Sequence, residues 1–238
     1  MEPPSLSPSY LLAPKTLRAV GTCALVLLSA GAYLALLHAP ADRMMGDVYR
    51  ILYVHVPSAW LALVAYTVAF AASIAYLLHH QLGADALAEA SAEVGLVFNA
   101  LALATGSIWG RPTWGVWWTF DPRLTSAAVM LLLFAAYVGL RRLVDEPRRR
   151  ASWAAVVAIL AFVDIPVVWY SVQWWNSLHQ VQSSPETMAS PMVLALRVNA
   201  FAFLFAYLAL VQMRVRLRLA EDRREALPPS PAGLSPLP

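Results

Sequence analysis

Read from one end to the other, the chain alternates long apolar runs with short polar junctions. A helix needs about 20 mostly apolar residues to cross a hydrocarbon layer about 30 Å thick. Six runs are of that order: Leu17–Leu37, Ile51–Leu78, Val94–Ile108, Leu124–Leu140, Trp153–Ser171 and Met192–Met213. The third is the weakest, because Glu93 and Asn99 shorten its dry portion, and residues 79–93 read as a polar connection. The second is long enough for its first turn, Ile51 to Pro57, to lie in the interface. The pattern predicts an all-α integral membrane protein, a bundle of six transmembrane helices in one membrane domain over residues 17–213. The junctions are too short to hold a separate soluble domain.

Composition agrees. Hydrophobic residues make up 60% of the 238 positions and charged residues 13%, against about 25% charged in a soluble domain. An ordinary water-soluble enzyme is excluded. The net charge of +3 resembles a nucleic-acid signal, but the basic residues gather at the junctions, which is how membrane topology is written. Lys15, Arg18, Arg141, Arg142, Arg148 to Arg150, and Arg214 to Arg224 fall on one side of the bundle; Arg43, Arg50, Arg111 and Arg123 fall on the other. The positive-inside rule then puts both termini in the cytoplasm. Residues 1–16 read as a cytoplasmic N-terminus ahead of an uncleaved first helix. Residues 214–238 read as a basic and then Pro-rich cytoplasmic tail.

That topology sends three loops outward: residues 38–50, 109–123 and 172–191. The middle one reads W-G-R-P-T-W-G-V-W-W-T-F-D-P-R. Trp114, Trp117, Trp118 and Asp121 recur at i, i+3, i+4 and i+7, which on a helix makes one aromatic stripe ending in a carboxylate. Pro112 can start such a turn and Pro122 disfavours helix at Asp121, so a short interfacial helix is expected. Isolated Trp60, Trp153 and Trp169 fit the aromatic belt found at any membrane surface.

His55 sits one turn inside the outer end of the second run, and His179 lies in the third outer loop, on the same face as the aromatic stripe. Neutral imidazole is a good iron ligand, and a planar macrocycle wants apolar rings on its faces and cations near its carboxylates. Arg111 and Arg123 bracket the stripe and suit carboxylates. His38 is a weaker third candidate. His79 and His80 belong to the opposite end of the second helix, too far away to share a ligand sphere with His55. With a single cysteine, Cys23, in an apolar run, the chain has no Cys-x-x-Cys, so a cofactor would be held without thioether bonds. Asp164 and Arg197 fall at similar depths in the fifth and sixth runs and are expected to pair.

Trp114-Gly115-x-Trp117-Trp118-x-Phe120-Asp121-x-Arg123-Leu124-Thr125 resembles the tryptophan-rich "WWD" signature of haem-handling membrane proteins. Ala39-Pro40-Ala41-Asp42, Tyr49-Arg50-Ile51, His55-Val56-Pro57, Gly106-Ser107-x-Trp109-Gly110 and Tyr170-Ser171-Val172-x-Trp174-Trp175-Asn176-x-Leu178-His179 extend the likeness, in order, to the CcmC family of bacterial cytochrome c maturation. Phe120 departs from the signature, which usually has a third Trp there; the apolar face is kept and an indole N–H is lost. The resemblance implies His55 and His179 as axial ligands of a non-covalent, bis-His haem b. It also implies a haem platform of Trp114, Trp117, Trp118 and Asp121, with Phe120 in the same segment.

The function so implied is haem handling at the periplasmic face of the bacterial inner membrane, with delivery to the haem chaperone CcmE. The ABC transporter subunits CcmA and CcmB and the small membrane protein CcmD are the implied partners, and no nucleic acid is. No catalytic residue is expected, since neither H-E-x-x-H nor G-x-S-x-G is present. Three rival readings are a cytochrome c haem lyase, a transporter passing haem through its own bundle, and a plain assembly subunit.

Overall fold

The computed structural model describes residues 13–179 and 188–225. The Pro-rich tail and most of the N-terminal segment expected from the sequence lie outside them. Seven α-helices follow one another: α1 (Pro14–Tyr33), α2 (Leu52–His79), α3 (Leu82–Trp114), α4 (Pro122–Leu143), α5 (Pro147–Phe162), α6 (Asp164–Trp174) and α7 (Ser190–Glu225). With α5 and α6 taken as one broken helix, and with short helical extensions on α1 and α2, six helices are long and apolar enough to cross a membrane. They alternate in direction, so His55 and His179 share one end of the bundle and Arg141 and Arg218 the other.

Local sequence sets the helix ends. Pro14, Pro122 and Pro147 each occupy a first helical turn, where a missing N–H costs nothing. Asp121 caps α4 by accepting from the Arg123 amide at 2.9 Å, and Glu146 caps α5 by accepting from the Arg148 and Arg149 amides at 2.9 and 2.7 Å. A π turn, Leu34–His38, closes α1. Arg50 donates to the Ala35 and Ala39 carbonyls there, satisfying groups that a helix terminus leaves open.

The helix core is built on small residues. Ala62, Ala65 and Ala69 of α2 face Ala86 and Ala90 of α3, with Ala154, Ala158 and Ala161 of α5 buried in the same cluster. Small side chains let helix backbones approach closely, which is how helices associate when lipid removes the hydrophobic drive. A Cβ on Gly95 would sit 2.8 Å from the Tyr66 ring. On the far side α1 packs along α7, fastened by Asn199 Nδ2 donating at 3.0 Å to the Gly31 carbonyl.

Three expectations are corrected. Residues 82–93 are not a connection but the first three turns of α3, which runs 33 residues, or about 50 Å. Asp85, Glu89 and Glu93 share one face of this extension and are neutralised. Arg141 of α4 grips Asp85 through two contacts of 2.7 and 2.8 Å and Glu89 at 2.8 Å; Arg218 and Arg214 of α7 reach Glu89 at 3.1 Å and Glu93 at 2.6 Å. Hydropathy alone reads such carboxylates as a loop because their partners lie far along the chain.

The second correction concerns Asp164 and Arg197, which form no ion pair. Arg197 is exposed on the flank of α7, and Asp164 Oδ2 is buried without a hydrogen-bond partner among the described residues. Equal depth fixed their height but not the face each presents. Asp164 does open α6 directly after a break at Val163. Pro166, three residues into the new helix, has no N–H for the Phe162 carbonyl, and at the break the Val163 amide donates to the Leu160 carbonyl at 3.2 Å. The third correction, in the tryptophan-rich loop, belongs with the site.

Candidate functional site

His55 is held by α3. Its Nδ1 lies 3.0 Å from the Ala102 carbonyl oxygen and 3.1 Å from Thr105 Oγ1, which itself donates to the Leu101 carbonyl at 2.7 Å. A carbonyl only accepts, so Nδ1 carries the hydrogen and the Nε2 lone pair is the one left to bind an electrophile. Backbone-fixed imidazoles of this kind are what metal ligation requires, because the second nitrogen's partner sets tautomer and ring orientation. Gly106 makes room: a Cβ there would meet His55 Cε1 at 3.1 Å.

The His179 ring stands opposite. Its centroid is 6.4 Å from that of His55, with 31° between the ring planes, and 6.4 Å from the Trp114 ring. At that separation both rings would be within reach of one shared ligand.

Asp121 positions His179. Its Oδ2 accepts from Ser177 Oγ and from the Leu178 amide, both at 2.8 Å, and Ser177 Oγ in turn accepts from the His179 amide at 3.0 Å. Burial pushes the Asp121 carboxyl up, but these bonds and those from the Arg123 and Leu124 amides outweigh it and hold the group below the usual carboxylate range. A lowered pKa in the folded state gives stability that is present above the unfolded value and lost as pH falls through the folded one. Acidification to below the usual carboxylate range is therefore expected to release the 177–179 segment. Asp121→Ala is expected to do so at neutral pH, at a local cost of about 1.5–3 kcal/mol per lost charged hydrogen bond. Hydrogen exchange at the Leu178 amide reads both; unchanged protection in Asp121→Ala would reject the clamp.

Between the histidines lies a cavity of about 150 Å³. Its walls carry four indoles, Trp60 of α2, Trp109 and Trp114 of α3 and Trp169 of α6, together with Arg123, and its floor includes Asn99, Met130 and Val168. Trp109 and Trp114 meet edge to face at 5.2 Å. Ligand pockets usually hold about 300 Å³ or more, so a porphyrin would occupy this space only in part.

His55, His179, Trp114 and Arg123 thus line one cavity. The rest of the tryptophan segment is arranged otherwise. The interfacial helix does not form: Trp114 ends α3, Gly115 takes a left-handed φ of 79° as its C-cap, and residues 115–121 are not helical. Pro112 lies inside α3 rather than opening a new helix. Glycine is the residue that adopts positive φ without cost, and it stops the stripe after its first member. Trp117, Trp118 and Phe120 are 58%, 38% and 89% exposed and do not line the cavity. Ser107 Oγ, donating to the Trp117 carbonyl at 2.7 Å, ties their segment to α3. Arg111 turns back to the Gly115 carbonyl and also stays outside.

Trp60, Trp109 and Trp169 have no sequence signal that marks them as site residues; Trp60 and Trp169 read as belt residues, and only the fold separates them from Trp153, which is not part of this cavity's lining. Thr105 and Ser177 likewise had no signal beyond their nearness to the motifs.

Comparison with known proteins follows the same line. The family model described as "Heme exporter protein C" (CcmC) matches residues 5–228. A heme exporter protein C of Bradyrhizobium diazoefficiens is 40% identical over 172 residues, covering 72% of this chain and 65% of the relative. That of Escherichia coli K12 is 39% identical over 159 residues, 65% of each chain. A putative cytochrome c biosynthesis ccmC-like mitochondrial protein of Marchantia polymorpha is 38% identical over 151 residues, 63% of this chain and 64% of the relative. The matched part thus spans about 65% of the length of the bacterial relatives. On a family match that leaves out only the extreme ends, the chain belongs to the heme exporter protein C (CcmC) family.

Proposed function

We propose that the chain binds haem b non-covalently between His55 and His179 at the periplasmic face of the bacterial inner membrane and passes it to the haem chaperone CcmE. The observation that carries this reading is the 6.4 Å between two imidazole centroids, one of which is already tautomer-fixed by a carbonyl. Two imidazoles fill only two coordination positions, and no group of three or more His, Cys, Asp or Glu that could hold a metal ion occurs among the described residues. A haem, which supplies most of its iron's ligands itself, would need only such a pair from the protein.

In this role the chain supplies binding and orientation. His55 and His179 would hold the haem iron, and with both in place oxygen would be kept from it. Trp114 and Trp109 offer apolar faces, and Arg123 offers a guanidinium to a propionate. The limited cavity leaves part of the macrocycle outside, where Trp117, Trp118 and Phe120 form an exposed apolar platform beside a partner. CcmA, CcmB and CcmD would then act on the loaded complex rather than on the ligand pocket itself. The names of the relatives, heme exporter protein C and putative cytochrome c biosynthesis ccmC-like mitochondrial protein, support this reading.

The test is transfer. Membranes carrying the haem-loaded chain, mixed with purified CcmE, should yield covalent haem on the chaperone, and Trp117→Ala combined with Phe120→Ala should lower the yield several-fold while haem stays on the donor. Full transfer from that variant would remove the platform, and no transfer from the parent chain with any component set would reject delivery to CcmE.

A further inference from the structure

We infer that the cavity opens sideways into the bilayer between α2 and α6, and that haem dissolved in the membrane reaches the two histidines through this gap. The inference rests on the haem reading above and adds to it the route and the physical source of the ligand.

The opening follows from the break at Val163. Near the arginine end, α2, α3, α4 and α5 form a closed ring: α2 packs on α3 and α5, and α4 packs on the same two helices. Beyond the break the chain continues as α6, which follows α4 and makes no extended contact with α2 among the described residues. The ring is therefore open on one side over the half of the bundle that holds the cavity.

The tryptophans mark the edges of the opening. Trp60 on α2 and Trp169 on α6 both line the cavity, and each is 39% exposed. Each lies five residues inside a landmark of the histidine end, Trp60 from His55 and Trp169 from Trp174, or about 7.5 Å deeper along its helix. Indole settles at the membrane interface because it is amphipathic, and a planar apolar ring system with carboxylates at one edge is amphipathic in the same way. Among the described residues α7 packs against α2 and α3, and α1 packs on α7.

A path through the bundle is stoppered by contrast. Under the cavity floor Tyr66 and Phe134 stack at 3.6 Å with 11° between planes, and Tyr66, Phe134 and Tyr137 are all 0% exposed. Phe70 and Phe162 stack at 3.9 Å and close α2 onto α5 just before the break. In a close-packed aromatic core no water-sized space remains for a porphyrin to follow. Trp60 and Trp169 lie on the two helices that do not pack together, and Arg123 within the cavity offers a cation to the ligand's carboxylates.

The test cross-links the gap. In a Cys23→Ser background, Trp60→Cys and Trp169→Cys are joined by a reducible thiol-specific cross-linker in vesicles that already contain haem. The rate at which low-spin haem absorption grows should fall at least tenfold in the cross-linked protein and recover when the linker is reduced. Equal rates in the two forms would overturn the lateral route and leave haem binding intact. If neither form takes up haem while the Cys23→Ser parent does, the parent chain answers by quenching: lipids brominated in the acyl chain should quench its tryptophan emission more than that of Trp60→Phe with Trp169→Phe, and equal quenching would overturn the route. No uptake by the parent would instead reject the haem reading itself.

Discussion

Replacing His55 by alanine is expected to weaken haem binding by about a hundredfold or more. Groups that only orient a metal-bound imidazole cost 10–100-fold when removed, and His55 is placed to be the ligand itself. Its fixed Nδ1–H bonds to Ala102 and Thr105 make it the better organised of the pair. His179 depends on the Asp121 clamp, so His179→Ala should lose affinity similarly while disturbing the fold less. Thr105→Val, which removes one Nδ1 partner and leaves the Ala102 carbonyl, should fall about tenfold, at the lower end of the range for orienting groups. Titration of haem into detergent-purified protein measures all three. Equal affinity in the parent and in both histidine variants would remove the ligand assignment and return attention to His38.

The second large effect lies at the other end of the bundle and reads stability rather than ligand. Arg141 is 3% exposed at its side chain and holds two carboxylates. Arg141→Leu leaves Asp85 buried without its cation, and breaking a buried pair in this way costs about 3–5 kcal/mol. Glu89 keeps Arg218 at 3.1 Å, so most of the loss belongs to Asp85. The reverse change is milder: after Asp85→Leu, Arg141 retains Glu89. The double variant Arg141→Leu, Asp85→Leu should recover a large part of the loss, since it removes the stranded charge. Unfolding in mixed micelles gives the four values of the cycle. Strict additivity would mean that the network does not act as a unit, and α3 would then need another reason to continue past Glu93.

What could be read from sequence followed from one-dimensional physics. Apolar runs of spanning length gave six crossing helices, and the basic junctions separated the two ends. The histidines were recognisable because His55 and His179 flank aromatic motifs on the same side. Contacts between distant segments were not recognisable in the same way. Asp85, Glu89 and Glu93 look like a polar loop until Arg141, Arg214 and Arg218 arrive from other helices. Asp164 and Arg197 share a depth, but depth carries no information about rotation around a helix axis, and one of them faces outward.

The tryptophan segment shows a competition between two local signals. Trp114, Trp117, Trp118 and Asp121 have helical spacing, but Gly115 interrupts them with a residue suited to ending a helix, and Pro122 behind Asp121 marks the start of the next one. The termination signals prevail, and the carboxylate becomes a cap on α4 and a clamp on the His179 segment. The belt reading of Trp60 and Trp169 was reasonable by composition. A break at Val163 that swings α6 away from α2 is what turns them into cavity walls.

Electron paramagnetic resonance of the purified chain loaded with ferric haem bears most directly on the pairing of His55 with His179. A low-spin signal is expected from the parent chain, with conversion to high spin in His55→Ala and in His179→Ala alike. A high-spin parent, or a low-spin signal that survives in both single variants, would contradict ligation of one iron by these two imidazoles.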